Sequence, residues 1–556
     1  MIRIYCKNTK TFKEFQEGTT LQEMLPSFDF AKPWPIIAAK VNNVVEGLKF
    51  RAFNNRDVEF LDYTTYAGRS LYCRSLCFLL AKASRDIFPD SRITLRRPIS
   101  KGYLCNLRKN NGGRVTAQEV EKIAARMREL VEKDFQFHRH DVQTPEAIEI
   151  FRKMGFEDKV KLLETTGSTY TTYYTLDGTA DYFYDTLVPS TGFLKVWELK
   201  LYKDGMMILR VPDRHQPDQL APFAEQPKTF EVFTETLRWN RMMGLTNVGD
   251  VNKACLSGRS SELIQVSEAL QDKKIVQIAD EIQRRYTEQG VRLVLITGPS
   301  SSGKTTFSMK LRIQLIACGL RPLTFSTDDY FVNREETPRM PDGSYDFDNF
   351  DTVDHDLLQK ELLRILAGEE VDVPEFNFVT GLREYNGKKL KLENQCVIIL
   401  EGIHALNPML TNLVPEDKKY KIFINAMTSI SLDDHNTIPT SDYRLLRRIL
   451  RDFNKGAFTA QQTIAQWPNV RRSEVKWIYP FQENADVLFN SAYLIEFAVL
   501  RTHLEQILVT VPKNCPEYSE THRLLKFLSY FVPVPDKEIP PTSLLREFVG
   551  GSSFKY

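Results

Sequence analysis

The residues with the clearest chemistry are Gly298-Pro299-Ser300-Ser301-Ser302-Gly303-Lys304-Thr305, with Thr306 directly after them. Glycines at that spacing let successive backbone N–H groups converge on phosphate oxygens, a helix N-terminus behind them adds partial positive charge, and Lys304 supplies a cation for the outer phosphates. Thr305 would offer its hydroxyl to Mg²⁺. Residues 291–297 are an apolar run that reads as a strand, and residues 305–319 read as a helix. That strand, loop and helix order is the context a phosphate-binding loop requires.

Two acids stand where such a loop would need them. Asp328 follows the strand-like run 322–326, within Ser326-Thr327-Asp328-Asp329-Tyr330, and Glu401 follows the apolar run 397–400. In an open α/β sheet the ligand lies beyond the carboxyl ends of the strands, so both acids are candidates for the site, and a carboxylate at Glu401 can hold Mg²⁺ or its waters. An Asp after a strand also makes an ordinary turn, and Asp329 competes for the same role. Farther on, Arg444, Arg447, Arg448 and Arg451 recur at i, i+3, i+4 and i+7, one side of a helix. Four guanidinium groups on one face repel unless an anion meets them, which suits a lid over a transferring phosphoryl group. The alternative is a solvated face balanced by Asp442 and Asp452.

The elements that must position these residues need more than one core, because 556 residues exceed the size at which a single domain stops growing, about 250 to 300 residues. Residues 1–62 alternate short strand-like runs with polar turns and one helix near Thr20, an α+β module. Residues 63–225 open with a helix-length apolar pattern at 71–87, continue through a charged helix starting with the capping-box sequence Thr116-Ala117-Gln118-Glu119, and become β-rich near 193–201. Residues 226–282 read as a polar helical connector, 283–515 as strands and helices in alternation, and 516–556 as a Pro-containing tail. The alternation predicts a doubly wound parallel sheet, so the fold class is α/β with N-terminal α+β domains.

Composition sets the remaining bounds. With 42% hydrophobic and 26% charged residues the chain is ordinary globular material, and a formal charge of +2 gives no global attraction for a polyanion. Eight scattered cysteines without a CxxC pair point to a reducing, cytoplasmic setting, and no run is long and apolar enough for a signal sequence or a membrane span. His138 and His140, two apart with no cysteine companion, read as a surface loop.

Taken in order, the loop 298–306, the Asp328 segment, Asn349-Phe350-Asp351, the stretch 374–383, residues 400–406, the arginine helix and Glu483-Asn484-Ala485-Asp486-Val487 resemble the uridine kinase and phosphoribulokinase family of P-loop kinases over roughly residues 290–495. The resemblance implies an ATP- and Mg²⁺-dependent kinase that phosphorylates the 5′-hydroxyl of a nucleoside. It implies Asp328 as proton acceptor, Asp351 on the ribose hydroxyls, Thr305, Glu401 and Asp328 around Mg²⁺, and Lys304, Arg448 and Arg451 on the transferred group. Arg383 and Arg444 would join the substrate site. Where uridine kinases usually carry Tyr and His around the base, this sequence has Phe376 and Gly381, which leaves the base open. Residues 427–440 form an insertion ahead of the arginine helix.

Residues 1–225 resemble the N-terminal region of threonyl-tRNA synthetases, a β-grasp TGS module followed by the second additional, editing-type domain. The resemblance rests on Ala38-Ala39-Lys40-Val41-Asn42, Asp57-Val58-Glu59-Phe60-Leu61 and Val188-Pro189-Ser190-Thr191-Gly192. The editing ligands of that family correspond here to Arg74, Phe78, Phe183 and Leu187, so neither metal nor editing hydrolysis is expected. The leading reading is a nucleoside kinase. A kinase of another small hydroxyl acceptor such as a sugar phosphate, and an RNA-binding or nucleotide-sensing regulator, are the alternatives. tRNA is a disfavoured partner, no membrane partner is expected, and a homo-oligomer is compatible with the sequence.

Overall fold

The computed structural model describes residues 1–30, 33–99, 101–340 and 343–556. At the N-terminus, β1 (Ile2–Cys6) pairs with β2 (Thr11–Phe15) as a hairpin, and β3 (Ile36–Val41), β4 (Val44–Gly47) and β5 (Arg56–Asp62) complete a sheet of order β2-β1-β5-β3-β4. Ile2, Ile4 and Cys6 are buried while Arg3 faces out, the period of two that half-buries a strand. The short helix α1 (Leu21–Met24) starts in a reciprocal box between Thr20 and Glu23.

Next come α2 (Tyr66–Ile87), the hairpin β6 (Arg92–Ile99) and β7 (Gly102–Arg108), and α3 (Ala117–Glu132), with the Thr116–Glu119 capping box formed as the sequence indicates. A second small sheet, β10-β9-β8, joins β8 (His138–Gln143), β9 (Tyr170–Leu176) and β10 (Thr179–Asp181), with α4 (Thr144–Lys153) and α5 (Glu157–Thr166) between β8 and β9. His138 and His140 therefore lie in a strand, not a loop. The His140 ring stacks on Tyr173 at 4.9 Å and its Nε2 meets Thr175 Oγ1 at 2.9 Å. The β-rich stretch is shorter than expected: a single 3₁₀ turn precedes β11 (Glu198–Leu201), which pairs with β12 (Met207–Arg210) in a sheet of order β11-β12-β7-β6.

The connector is three helices, α6 (Pro227–Met242), α7 (Val248–Leu256) and α8 (Ser260–Gln289). α8 runs unbroken through residues 282 and 283 and ends at Gly290, whose φ of 71° suits a residue without Cβ. The parallel sheet follows in the order β14-β19-β13-β20-β21, built from β13 (Leu293–Thr297), β14 (Arg321–Ser326), β19 (Cys396–Glu401), β20 (Lys419–Asn425) and β21 (Val487–Asn490). Its helices include α9 (Lys304–Ala317), α10 (His355–Leu366), α11 (Thr440–Asn454), α12 (Ala460–Trp477) and α13 (Glu496–Leu508). Two small ladders, β15 (Val371–Asp372) with β18 (Lys389–Leu390) and β16 (Glu375–Asn377) with β17 (Leu382–Glu384), lie between α10 and β19.

Two segments are more integrated than the sequence indicated. Residues 427–440 sit almost wholly buried between the sheet domain and the N-terminal half: Leu95 N donates to Asp434 O at 2.7 Å and Asn436 Nδ2 to Tyr182 O at 2.8 Å. The C-terminal segment is not a loose tail. It forms α14 (Tyr518–Leu528) and α15 (Arg546–Val549), and it buries Leu524, Phe527, Leu544 and Phe548. All eight cysteines are unpaired, and no helix among the described residues is long and apolar enough to cross a membrane.

Candidate functional site

The five residues of β13 are all buried, and the strand runs between β19 and β20, so the loop after it emerges at the centre of the sheet's carboxyl edge. Gly298 is obligatory: a Cβ there would lie 2.1 Å from Ile424 O. Gly303 has φ 87° and Ser301 φ 57°, the left-handed turns that aim consecutive N–H groups inward. The hydroxyls of Ser301 and Ser302 are buried without a hydrogen-bond partner. An unmet buried hydroxyl costs about 1 to 3 kcal/mol, so the loop is shaped to receive external acceptors such as phosphate oxygens. Lys304 Nζ touches only Pro299 O, at 3.4 Å, and forms no ion pair among the described residues.

Asp328 lies in a 3₁₀ turn directly after β14, with its N–H donated to Ser326 Oγ at 3.1 Å. Glu401 ends β19, in register with Ser326 on one side and Ile296 on the other. Burial raises the Asp328 pKa against the opposing pull of Lys304. Burial likewise pushes Glu401 up to about 7, with Asp328 and Glu547 adding to the rise while Lys304 and a hydrogen bond from Thr305 oppose it. The structure thus brings Lys304, Thr305, Asp328 and Glu401 together from three separate elements. Two desolvated carboxylates and a hydroxyl fit Mg²⁺, which takes few protein ligands and fills its octahedron with water and phosphate oxygens. No group of three or more His, Cys, Asp or Glu side chains arranged to hold a metal ion occurs among the described residues.

The four arginines of α11 do not form one uncompensated face. Arg444 is fully buried and makes a bidentate pair with Glu474 of α12, while also donating to Ser300 O at 2.9 Å. Arg447 is equally buried against Glu496 of α13, with Nη2–Oε2 at 2.7 Å. These two guanidinium groups bolt the helix to the phosphate loop from beneath, since Glu474 also accepts from Ser300 N at 3.1 Å. Arg448 instead reaches Ser300 Oγ at 3.0 Å and shares Asp452 with Arg451. Arg448 and Arg451 keep partial exposure, which suits contact with a bound phosphoryl group.

On the acceptor side, Asp351 is exposed beside His355, with Oδ1–Nε2 at 3.4 Å. Phe376 of β16 packs edge-on against Phe331 at 5.5 Å and Phe378 at 5.2 Å. Arg383 pairs with Asp354 at 2.9 Å. Gly381 has φ 74° in the hairpin turn, and a Cβ there would lie 2.8 Å from the Arg334 guanidinium. The turn itself therefore dictates glycine.

Sequence reasoning missed four residues. Asp348 has its pKa raised to about 6 by burial, with the charges of Arg448 and Asp328 acting on it in opposite directions. The acid-rich run Asp346-Phe347-Asp348 just before Asn349-Phe350-Asp351 was the available signal. His404 is fully buried, held neutral with its pKa lowered to about 4 by burial, and edge-on to Phe350 at 5.4 Å. Glu474 and Glu547 gave no signal, because 174 and 241 residues separate them from their partners Ser300 and Thr306. In the N-terminal half, Phe78 and Phe183 pack ring on ring at 5.2 Å, and Arg74 pairs with Asp185 at 3.3 Å.

Residues 293–495 match the family described as phosphoribulokinase / uridine kinase. The C-terminal part of the chain is a domain of that family. The uridine kinase of Ureaplasma parvum serovar 3 is 28% identical over 200 residues, 35% of this chain and 86% of that protein. Over its N-terminal region the chain is similar to threonine–tRNA ligases; that of Desulforamulus reducens is 26% identical over 200 residues, 36% of this chain. The chain spans only 31% of that ligase's length. Among solved structures, D-glycerate 3-kinase from Cryptococcus neoformans is 13% identical, covering 38% of this chain and 89% of that one at a TM-score of 0.26. The family match over residues 293–495 and the parallel sheet give a C-terminal P-loop domain of mixed α/β fold, preceded by α+β regions similar to the ligases.

Proposed function

We propose that the chain is an ATP-dependent nucleoside kinase that transfers the γ-phosphoryl group to a 5′-hydroxyl. The observation that carries this reading is the convergence of Lys304, Thr305, Asp328 and Glu401 at the carboxyl edge of the parallel sheet. In this reading the loop 298–306 holds the triphosphate, and Lys304 neutralises its outer oxygens. Thr305 and Glu401 would hold Mg²⁺, which when bound offsets charge on the phosphates. Asp328 accepts the proton of the acceptor hydroxyl as that oxygen attacks the γ-phosphorus and ADP leaves. Its raised pKa makes it a stronger base than an exposed aspartate. Arg448 and Arg451 meet the charge that develops on the transferred group. Asp351 would hold the ribose hydroxyls, and the Phe331, Phe376 and Phe378 rings offer an apolar face to a base.

The test is ADP release with ATP, Mg²⁺ and a panel of nucleosides, beside sugar phosphates as competing acceptors. Nucleoside-dependent turnover that falls at least about 10²-fold in Asp328→Asn is the expected result. Turnover confined to sugar phosphates would transfer the reading to that acceptor class, while full activity in Asp328→Asn would remove Asp328 as the base.

A further inference from the structure

The two ends of the phosphate loop differ in what they already hold. Towards its tip, the hydroxyls of Ser301 and Ser302 are buried without a partner, and Lys304 forms no ion pair among the described residues. At its far end both donors of Thr306 are taken. Glu547 Oε2 accepts from Thr306 Oγ1 at 2.7 Å and from Thr306 N at 3.4 Å, and the Tyr556 hydroxyl meets the same Oγ1 at 2.9 Å. We propose that residues 547–556 form a latch over the nucleoside end of the donor site, which a nucleotide must open and a short polyphosphate leaves shut. This rests on the reading that the loop holds the donor nucleotide, and it is independent of the acceptor.

The order of groups along the loop decides which phosphate is affected. Thr306 is the third residue of α9, so its N–H is one of the first four that have no partner within the helix. Lys304 serves the outer phosphates and the Thr305 hydroxyl serves Mg²⁺. Thr306, one residue farther from the tip, is left for the phosphate that adjoins the nucleoside. Glu547 stands in that seat. A carboxylate and a phosphate are anionic acceptors for the same two donors, and like charges so close repel, so one must leave before the other enters.

The segment has a fixed part and a part free to swing. Leu544 packs against the loop, where a Cβ on Gly303 would lie 3.5 Å from its Cδ2. Phe548 is fully buried with the Arg447 guanidinium 4.7 Å from its ring centre, and Asn454 Nδ2 of α11 donates to Phe548 O at 2.8 Å. The groups that touch Thr306 are held less firmly. Glu547 is half-buried, and its carboxylate can turn to water about its own side-chain bonds. After α15, Gly550 and Gly551 have φ of 87° and 71°, a left-handed pair that gives the backbone a hinge. Residues 551–556 beyond it are exposed or half-buried, and Tyr556 is 48% exposed. The Tyr556 ring also lies 5.9 Å from Lys455 Nζ, so the latch rests on the end of the helix that carries Arg448 and Arg451.

The experiment is calorimetric titration of the full chain with ADP and with pyrophosphate, each with Mg²⁺, in the parent, Glu547→Gln and Tyr556→Phe. Removing the Glu547 charge favours any anion nearby, so the informative quantity is the ratio of ADP to pyrophosphate affinity. That ratio should rise about three- to tenfold in Glu547→Gln, and by a smaller factor in Tyr556→Phe, which loses only a hydroxyl. Neither side chain is in the core, so unchanged thermal melting shows that the variants fold. Hydrogen exchange over residues 546–556 of the parent gives a second readout: it should quicken when ADP binds and stay as it was when pyrophosphate binds. An unchanged or lower ratio in Glu547→Gln overturns the latch, and so does exchange that slows or stays constant with ADP. Binding of neither ligand to any of the three chains removes the nucleotide reading and the latch with it, whereas binding with an unchanged ratio removes the latch alone.

Discussion

Glu547 Oε2 accepts a hydrogen bond of 2.7 Å from Thr306 Oγ1, and Tyr556 meets the same hydroxyl at 2.9 Å. Thr306 lies in the first turn of α9, directly behind the phosphate loop, where helix N-termini attract anions. The last turn of the chain thus places a carboxylate where a nucleotide phosphate would be drawn, and Glu547 also raises the Glu401 pKa. Glu547→Gln keeps the shape and removes the charge. The apparent KM for ATP should fall about three- to tenfold, with kcat changed less, as measured by initial rates at saturating acceptor. An unchanged or higher KM would mean that Glu547 does not compete with the nucleotide.

The Arg444–Glu474 pair makes a prediction about stability. Both side chains are buried, and both touch Ser300, one through its carbonyl and one through its N–H. Arg444→Met leaves the buried Glu474 carboxylate with Arg471 Nη1, at 3.2 Å, as its remaining cation, a loss below the about 3 to 5 kcal/mol of a fully stranded charge, and replacing both Arg444 and Glu474 by apolar residues of similar volume should restore most of it. Denaturant unfolding of the two variants distinguishes these outcomes. The double variant should still bind nucleotide more weakly, because the loop has lost two of its supports.

The contrast with Arg448 shows what the sequence could and could not disclose. The four arginines recur on one helical face, and periodicity alone assigns them one role. Which of them are bound to carboxylates on other helices, and not to Asp452 of their own, depends on Glu474 and Glu496, which lie 30 and 49 residues from their partners. No local pattern carries that information. The phosphate loop was legible because its chemistry is local: glycines, a lysine and a threonine within one turn, with a strand before and a helix after. Asp328 and Glu401 were legible through topology, since strand ends in a parallel sheet converge. The buried insertion at 427–440 was not, because it bonds to the N-terminal half, nor were the docked C-terminal helices, because α14 and α15 pack on α13 and α11, elements distant from them in sequence.

Arg448 should therefore behave unlike Arg444. Its guanidinium is partly exposed and pairs within its own helix with Asp452, so truncation leaves no charge stranded in the core. Arg448→Ala is expected to lower kcat about 10²- to 10³-fold while the melting temperature moves little. A large fall in melting temperature with normal kcat would reassign it to the structural pair.

The buried cluster that ties the insertion to the N-terminal half predicts a pH dependence. His435 Nδ1 lies 2.6 Å from Asp181 Oδ2, and Lys159 Nζ lies 3.0 Å from Asp181 and 3.1 Å from Asp433. Burial alone would lower the His435 pKa, and Lys159 works in the same direction, but Asp181 and Asp433 outweigh them and raise it. A histidine with a raised folded pKa contributes stability that is fully present below its unfolded value, about 6.5, and is lost as pH rises through the folded value. The melting temperature should therefore decline above about pH 6.5, and that decline should be reduced in His435→Gln. A parent chain equally stable on both sides of that range would show that the ring carries no charge when buried.

Gly381 supplies the most discriminating test of the acceptor side. The resemblance to uridine kinases implies a histidine at its position, so introducing that side chain looks like a restoration. The geometry says otherwise. The backbone is left-handed at φ 74°, its N–H donates to Asn377 O at 2.7 Å, and Arg334 N donates to its carbonyl at 2.8 Å. A Cβ would meet the Arg334 side chain at 2.8 Å. Gly381→His should destabilise the chain by about 1 to 3 kcal/mol and should not improve turnover with any pyrimidine nucleoside. Gly381→Ala separates the two contributions, because it adds the steric contact and the left-handed strain without an imidazole. If His at 381 were tolerated and raised turnover while Ala were harmful, the hairpin would have to open in the working enzyme, and the base pocket would be formed by a different arrangement of Phe331, Phe376 and Arg334.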